Sequence, residues 1–311
     1  MPPDSQFDGV IRDPAQWQAW VAGLNSPMRC HSTAGGAFLV SPNGFSLAAE
    51  SASDNVYMAK GTVDTALALR QHHNLAQAVG RSLPVQVFPG SAATPDAVFP
   101  NNVFATVPGK LIIGAMRHAV RQRESLRSDV PAWFADQHGY SVERIDRHGV
   151  VAELTGPLII DHARGIGYCG VSERVNELGV RAMQQAFDLR AVFAFNLVAG
   201  EYHSNVVMSV LAGRALVIHA PSFADAAVPK SIAALYGLNV MWLSDVEKSA
   251  FVGNCIALRD DEVWMSARAA AALSVEHREL LTRIGFAVRS VDISEIEKAG
   301  GSLRCCIGEI W

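Results

Sequence analysis

One order recurs along the chain and restricts the fold most. Two short apolar strands, a helical stretch and a further strand follow one another about five times, at a period of roughly fifty residues. The opening strand is Gly36-Ala-Phe-Leu-Val40, stopped by Ser41-Pro42-Asn43-Gly44. The spacing predicts a helix over 62–79, ended by Gly80, and a strand over 83–88. Hairpins are expected about Pro108-Gly109, over 158–170 and over 206–218. Further helices are expected over 133–139, over 172–188 with Ser172 as cap, near 225–237, and as one rod over 267–284. Strands are expected over 141–145, 192–197, 239–243, 255–258, 263–265 and 287–291. This is neither an even βαβ alternation nor an all-β pattern. Units of this kind can close into a ring whose inner strand ends meet at a central channel.

The totals fit one large core. Half of the residues are apolar and 18% are charged. No linker rich in Gly, Ser or Pro divides the chain. Residues 1–31 read as an N-terminal extension and 32–311 as a single domain. The formal net charge of −4, with scattered basic residues, argues against nucleic acid or an anionic membrane as partner. No apolar stretch is long enough to span a bilayer, and no secretory signal is visible at the start. The five cysteines show no paired spacing, which points to a reducing cytoplasm. A homodimer is compatible with all of this. No GxGxxG or P-loop motif appears, and no His/Cys cluster has metal-ligand spacing, so neither a cofactor nor a metal is expected.

The end of the chain, Gly300-Gly-Ser-Leu-Arg-Cys305-Cys306-Ile-Gly-Glu-Ile-Trp311, is too apolar to hang free. It is expected to form the last strand, with Cys305 at its mouth beside Arg304. On a strand the two thiols alternate sides, so only one of them can face a pocket. That makes Cys305 a candidate nucleophile, and a nucleophile needs a base and a partner for the base. His203 enters an apolar strand from a loop, although a lone histidine there also reads as a core residue satisfied by main chain. Glu153 stands in an apolar run and needs a partner, either a structural cation or a catalytic histidine. Asp96 and Asn102 flank Pro100 and could simply build a turn. Arg174 is expected in the first turn of a helix, against the dipole, which hints at an anionic partner. The helical His72, His73 and His277 are expected to be solvated.

Together these segments resemble the guanidino-group-modifying enzymes. Asp96-Ala-Val-Phe followed by Asn102, Glu153-Leu-Thr-Gly, Ser172-Glu-Arg-Val-Asn, His203-Ser-Asn and Gly-Gly-Ser-Leu-Arg-Cys305 occur in that family's order. Phe38-Leu-Val-Ser-Pro and Asp54-Asn55 are similar to the opening of its citrulline ureidase-like, amidinotransferase-family hydrolases. The resemblance covers about residues 31–311 and implies a fivefold pseudosymmetric α/β-propeller (pentein) of ββαβ-type repeats. It implies Cys305 as nucleophile with a lowered pKa, His203 as general acid/base and Glu153 as the residue that holds His203. It implies Asp96 for the substrate's α-ammonium and Arg174 for its α-carboxylate. Arg121 would assist on the carboxylate side, with Arg117 and Arg123 as neighbouring candidates.

Two departures from the family bear on the substrate. Asn102 and Asn205 stand where many members that bind a cationic guanidinium have aspartate, and Val103 stands where the near branch tends to show Trp. An amide offers both a donor and an acceptor, which matches a neutral ureido group. The expected reaction is therefore hydrolysis of citrulline, or of an N-substituted citrulline, to the ornithine-type amine, carbon dioxide and ammonia. Arginine or methylarginine hydrolysis and amidino transfer are the alternatives within the family. An inactive binding protein on the same scaffold and a redox thiol pair are the alternatives outside its chemistry.

Overall fold

The strand Gly36–Val40 is buried at all five positions, so it needs cover on both faces and partners on both edges. The fold supplies this by repetition. The computed structural model describes residues 9–24 and 32–311. Along the chain lie β1 (Val10–Ile11), β2 (Gly36–Val40), β3 (Val85–Phe88), β4 (Phe104–Val107), β5 (Lys110–Ile113) and β6 (Ser141–Arg144). Then come β7 (Leu158–Asp161), β8 (Ile166–Val171), β9 (Ala191–Asn196), β10 (Met208–Leu211), β11 (Ala215–Ile218) and β12 (Val240–Trp242). The chain ends with β13 (Ile256–Arg259), β14 (Glu262–Ser266), β15 (Ala287–Val291) and β16 (Gly308–Ile310).

Five small sheets result: β16-β2-β3, β4-β5-β6, β7-β8-β9 with β1 added beyond β9, β10-β11-β12 and β13-β14-β15. In each, the first two strands of the order just given are antiparallel and the next is parallel to its neighbour. The parallel strand requires a crossover, and a helix supplies it in every sheet. Apolar clusters fill the gaps between successive sheets. Phe38, Phe104 and Phe134 lie between the first and second, and Ile112, Leu158 and Val192 between the second and third. Tyr168, Phe193 and Ile218 follow, then Val217, Val263 and Met265, then Trp264, Leu39 and Ile307. The last cluster joins the fifth sheet to the first, so the ring is closed. It is the pentein-type α/β-propeller that the sequence resembles.

The closing strand comes from the other end of the chain. Gly308, Glu309 and Ile310 pair with Phe38, Ala37 and Gly36. The Thr106 hydroxyl donates 2.9 Å to the Glu309 carbonyl, and the Trp311 N–H donates 3.0 Å to Thr106. Gly308 is required by close approach: a Cβ there would stand 2.2 Å from the Phe38 ring. That ring is itself packed edge-on against Phe88 and Phe134. The N-terminal segment adds to the outside of the ring. β1 runs parallel to β9, and in the helix Pro14–Ala22 the fully buried Trp17 stacks on Phe193 at 5.0 Å. The rest of the segment 1–31, with Cys30, lies outside the described residues.

Several local expectations are corrected. Cys305 and Cys306 are not on a strand. They sit in a single 3-10 turn, Leu303–Cys306, and the strand begins only at Gly308. Met208, not Val206, starts the strand after His203, because Ser204–Val207 forms one helical turn first. The helix expected from Ser172 begins at Glu177, capped by the Asn176 side chain, so Arg174 lies outside it and opposes no dipole. The rod expected over 267–284 is two helices, Ala267–Ala272 and Val275–Ile284, with Ser274 capping the second. His72 is buried rather than solvated, and burial holds its pKa down at about 4. His277 bonds the Glu247 carboxylate at 2.6 Å. Gly308→Ala should cost about 1–3 kcal/mol by overpacking against Phe38, read as a lowered midpoint in urea. Removal of Ile307–Trp311 should abolish the cooperative transition altogether.

Candidate active site

The five strands that face the axis are β4, β7, β10, β13 and β16; β7 touches β10, β10 touches β13, and β16 touches β4. They begin at residues 104, 158, 208, 256 and 308. The segment leading into each therefore arrives at the same end of the ring. Asn102, Glu153, His203, Asn254 and Cys305 lie in these five segments, fifty or fifty-one residues apart.

The segments are bonded to one another. The Asn101 amide donates 3.3 Å to the Thr155 hydroxyl, which donates back 3.0 Å to the Asn101 carbonyl. The Asn205 N–H donates 3.0 Å to the Gly156 carbonyl, and the Asn205 side chain donates 3.2 Å to the Thr155 carbonyl. The Asn254 side chain donates 2.7 Å to the Asn205 carbonyl and 3.3 Å to the Cys305 sulfur. Buried main-chain groups need such partners, so the polar loops of the ring satisfy each other.

Ser51, Asn55, Asp96, Phe99, Asn102, Arg121, Arg174, Tyr202, His203, Ala299, Gly301 and Cys305 line one narrow pocket. Every proposed site residue lies in its wall except Glu153, which stands behind His203, and Asn205, which stands beside the thiol at 3.6 Å. Cys305, His203, Glu153 and Arg174 are no more than 2% exposed. In so dry a place each charge needs an explicit partner. Glu153 has two: Arg174 donates to it at 3.1 Å, and His203 Nε2 stands 3.0 Å from its Oε2. Burial alone would raise the Glu153 pKa, but these partners outweigh it and hold the group well below the usual carboxylate range. A carboxylate only accepts, so His203 carries its proton on Nε2 and keeps its Nδ1 lone pair. The ring also packs on Tyr202 at 4.3 Å and against Gly156, where a Cβ would meet His203 Nδ1 at 2.8 Å and Asn102 Nδ2 at 2.6 Å.

Arg174 is fully engaged. Besides Glu153 it donates to both oxygens of Asp54 and to the Ser51 carbonyl. Burial opposes its charge, yet Glu153 and Asp54 push its pKa up. Arg121 lies 2.8 Å from Glu124, donates 3.0 Å to the Phe99 carbonyl and reaches the Asn102 oxygen at 3.4 Å. Burial lifts Glu124 to about 8, against the pull of Arg121. Asp96 accepts from Ser51 and is raised by burial, with Arg121 pulling the other way. Arg117 and Arg123, the other sequence candidates, turn elsewhere, to Glu173 and to the Ala93 carbonyl.

The thiol does not have the lowered pKa expected from its surroundings. Burial raises it, and the hydrogen bonds from Ser302 and Asn254 only moderate this. Arg304 turns away, to the Ile307 carbonyl and Glu309. Burial also lowers His203, with Glu153 opposing. Both shifts favour the neutral form, of the thiol and of the imidazole that share this pocket wall. Cys306 is turned off the pocket, its sulfur donating to the Ser302 carbonyl at 3.6 Å. Among the described residues no group of three His, Cys, Asp or Glu could hold a metal, and no helix is long and apolar enough to cross a membrane.

Asn254 escaped the reading of the sequence. The signal for it was the period itself: one step on from His203, or back from Cys305, lands on it. Gly156 was read as the end of the Glu153-Leu-Thr-Gly segment, without its contact to the His203 ring. Two outcomes are expected. Alkylation of Cys305 by iodoacetamide should rise with pH to a midpoint above the ordinary thiol value of about 8.5, because a raised pKa delays the thiolate. Gly156→Ala should lower kcat roughly 10- to 100-fold by displacing the His203 ring, with little change in melting temperature.

The comparisons agree with this architecture. The chain is 20% identical to the N-terminal domain of ArgZ, an arginine dihydrolase from the ornithine–ammonia cycle in cyanobacteria, crystallised with substrate. The match has a TM-score of 0.77 and covers 88% of this chain and 97% of that one. A dimethylarginine dimethylaminohydrolase from Pseudomonas aeruginosa, complexed with citrulline, matches at 21% identity and a TM-score of 0.70, over 89% of this chain and all of that one. Among curated proteins, an uncharacterized protein of Caenorhabditis elegans is 22% identical over 248 residues, 79% of this chain and 85% of its own length. One from Bacillus subtilis is 23% identical over 250 residues, 76% and 77% of the two chains. The family model described as N,N dimethylarginine dimethylhydrolase, eukaryotic, matches residues 41–311. The chain belongs to that family, whose members are hydrolases of guanidino C–N bonds.

Proposed function

We propose that the protein is a cysteine hydrolase of a ureido amino acid of the citrulline type. The observation that carries this is the orientation of Asn102. Its oxygen faces the Arg121 guanidinium, which can only donate, so the amide cannot turn round without setting donor against donor. Its Nδ2, 3% exposed as a residue and in the pocket wall, has no hydrogen-bond partner in the protein. The site thus holds out an N–H that requires an acceptor. A ureido carbonyl is one, whereas a protonated guanidinium offers only N–H groups. Asn205 is oriented the opposite way: its Nδ2 donates to the Thr155 carbonyl, and its oxygen stands 3.8 Å from the Cys305 sulfur, whose S–H can donate to it. Once the thiol gives up its proton, that oxygen is an acceptor for a ureido N–H.

In this reading Cys305 attacks the ureido carbon, and its proton passes by way of His203 to the nitrogen that leaves as ammonia. Glu153 keeps the proton on Nε2 of His203 and stabilises the imidazolium while it exists. The S–C bond of the resulting thiocarbamate is cleaved by water that His203 activates. The carbamate released decays to carbon dioxide and the ornithine-type amine. The α-ammonium goes to Asp96. The α-carboxylate goes to Arg174, in exchange for Asp54, with Arg121 behind it.

A second reading has its own support. The family description names dimethylarginine, and ArgZ is an arginine dihydrolase. Incubation with citrulline, arginine and methylated arginines separates the two. A higher kcat/KM for citrulline is expected, and a clear preference for arginine would overturn the first reading. Asn102→Asp should move the ratio toward arginine by about 10- to 100-fold, the worth of one charged hydrogen bond.

A further inference from the structure

Cys305 is a buried nucleophile without a nearby free cation. Arg304 is occupied by the Ile307 carbonyl and Glu309, and Arg174 by Glu153 and Asp54. Besides the imidazolium that forms on His203 when it takes the proton, what stabilises the thiolate is therefore neutral N–H groups, those of the Ser302 main chain and of a side-chain amide. Asn254 is placed for this. It is 0% exposed and lies in the fourth of the five segments that meet at the axis, just before β13.

Its orientation is determined by its neighbour. The Asn205 carbonyl, 2.7 Å from Asn254 Nδ2, can only accept, so the nitrogen and not the oxygen must stand there. The same nitrogen lies 3.3 Å from the Cys305 sulfur, and its second hydrogen is the one available to that atom. Asn205 Nδ2 is a weaker candidate, at 3.6 Å from sulfur and with 3.2 Å to the Thr155 carbonyl.

The segment that carries Asn254 is held rigidly. Phe251 has φ of 66°, outside the range most side chains favour. A Cβ on Gly253 would stand 2.4 Å from the Val206 carbonyl oxygen, so this loop lies directly on the loop of His203. Strained, tightly packed backbone beside a reacting atom fixes the position of a side chain well. The Ser209 hydroxyl adds to this: its one O–H stands between the Gly253 and Cys255 carbonyls, at 2.7 and 2.8 Å, and can donate to either.

We infer that Asn254 is a catalytic hydrogen-bond donor to the Cys305 thiolate, and that through the Asn205 carbonyl it also sets the spacing between the nucleophile's segment and that of His203. The inference rests on Cys305 being the nucleophile. A hydrogen bond to a charged acceptor is worth enough to move a thiol by about one to two pH units. Loss of the donor makes the thiolate rarer at neutral pH and slows its attack, while the residues that grip the amino-acid end are left as they were.

The test is the pH dependence of iodoacetamide labelling at Cys305, read by peptide mass, together with kcat and KM. Asn254→Ala and Asn254→Asp are compared with the native chain; the aspartate keeps the shape and is the arm read if the alanine variant does not fold. The labelling midpoint should rise by about one to two pH units in either variant, and kcat at neutral pH should fall about 10- to 100-fold with KM within about twofold. An unchanged midpoint in a folded variant, or a loss confined to KM, overturns the role of Asn254. Turnover that survives in Cys305→Ser would instead overturn Cys305 as nucleophile, so the two failures are told apart.

Discussion

The site exists because a three-residue strand at the end of the chain closes a ring. Gly308 to Ile310 pair with the strand that begins at Gly36, and this pairing completes the fifth contact between sheets. No local interaction holds Cys305 near His203 or Glu153, which lie about 100 and 150 residues upstream. Their meeting depends on five inner strands sharing one axis. Every repeat pays the same loop-closure entropy and recovers it in the apolar gap to its neighbour. The segments entering those strands then have nowhere to go but toward each other. Being buried, they satisfy their main-chain groups with one another's side chains, and the amides of Asn101, Asn205 and Asn254 bridge them.

The same crowding decides the electrostatics. Charge survives in the site only where an opposite charge touches it, as with Glu153 against Arg174 and Arg174 against Asp54. Burial drives the Cys305 thiol and the His203 imidazole toward their neutral forms, and at His203 it does so against the adjacent Glu153. A thiol in this state, with the nucleophilic role proposed for Cys305, is protected from indiscriminate alkylation and oxidation at neutral pH, because the thiolate is the reactive form. The proton it must lose has an acceptor in the same pocket wall, so the pair can exchange it without a change in net charge. Glu153 makes that exchange cheaper by waiting, already ionised, behind the imidazole.

Much of this was legible in the residues. The spacing of apolar strand pairs, roughly fifty residues, announced a ring, and the order of Asp96, Glu153, His203 and Cys305 along it announced a candidate site. What the residues did not show is local geometry decided by tertiary contacts. Cys305-Cys306 has the alternation of a strand, but the Phe38 ring leaves room for the strand only from Gly308 onward, and the thiols fall in a turn. Ser172 looks like a helix cap, yet Ser172 and Val175 bridge each other's main chains, so the cap passes to Asn176. Arg174 was seen as an anchor for an anion, and it is, but the anions it holds are Glu153 and Asp54. Asn254 was passed over because an asparagine between glycine and cysteine looks like any turn; only its place in the period marks it.

If citrulline is the substrate, as proposed above, the amides supply the discrimination against arginine, a molecule of almost the same shape. Citrulline and arginine differ at one terminal atom, and shape alone separates such pairs poorly. An amide discriminates only if it cannot turn over, since a free rotation would present whichever end the ligand needs. Here each amide is locked by a neighbour with a single polarity: Arg121 donates to Asn102, the Thr155 carbonyl accepts from Asn205, and the Asn205 carbonyl accepts from Asn254. To bind a guanidinium, Asn102 would have to leave a buried donor facing a buried cation, and the cost of that mismatch falls on arginine alone. On that proposal, specificity is set by the neighbours that lock each amide, Arg121 and main-chain carbonyls.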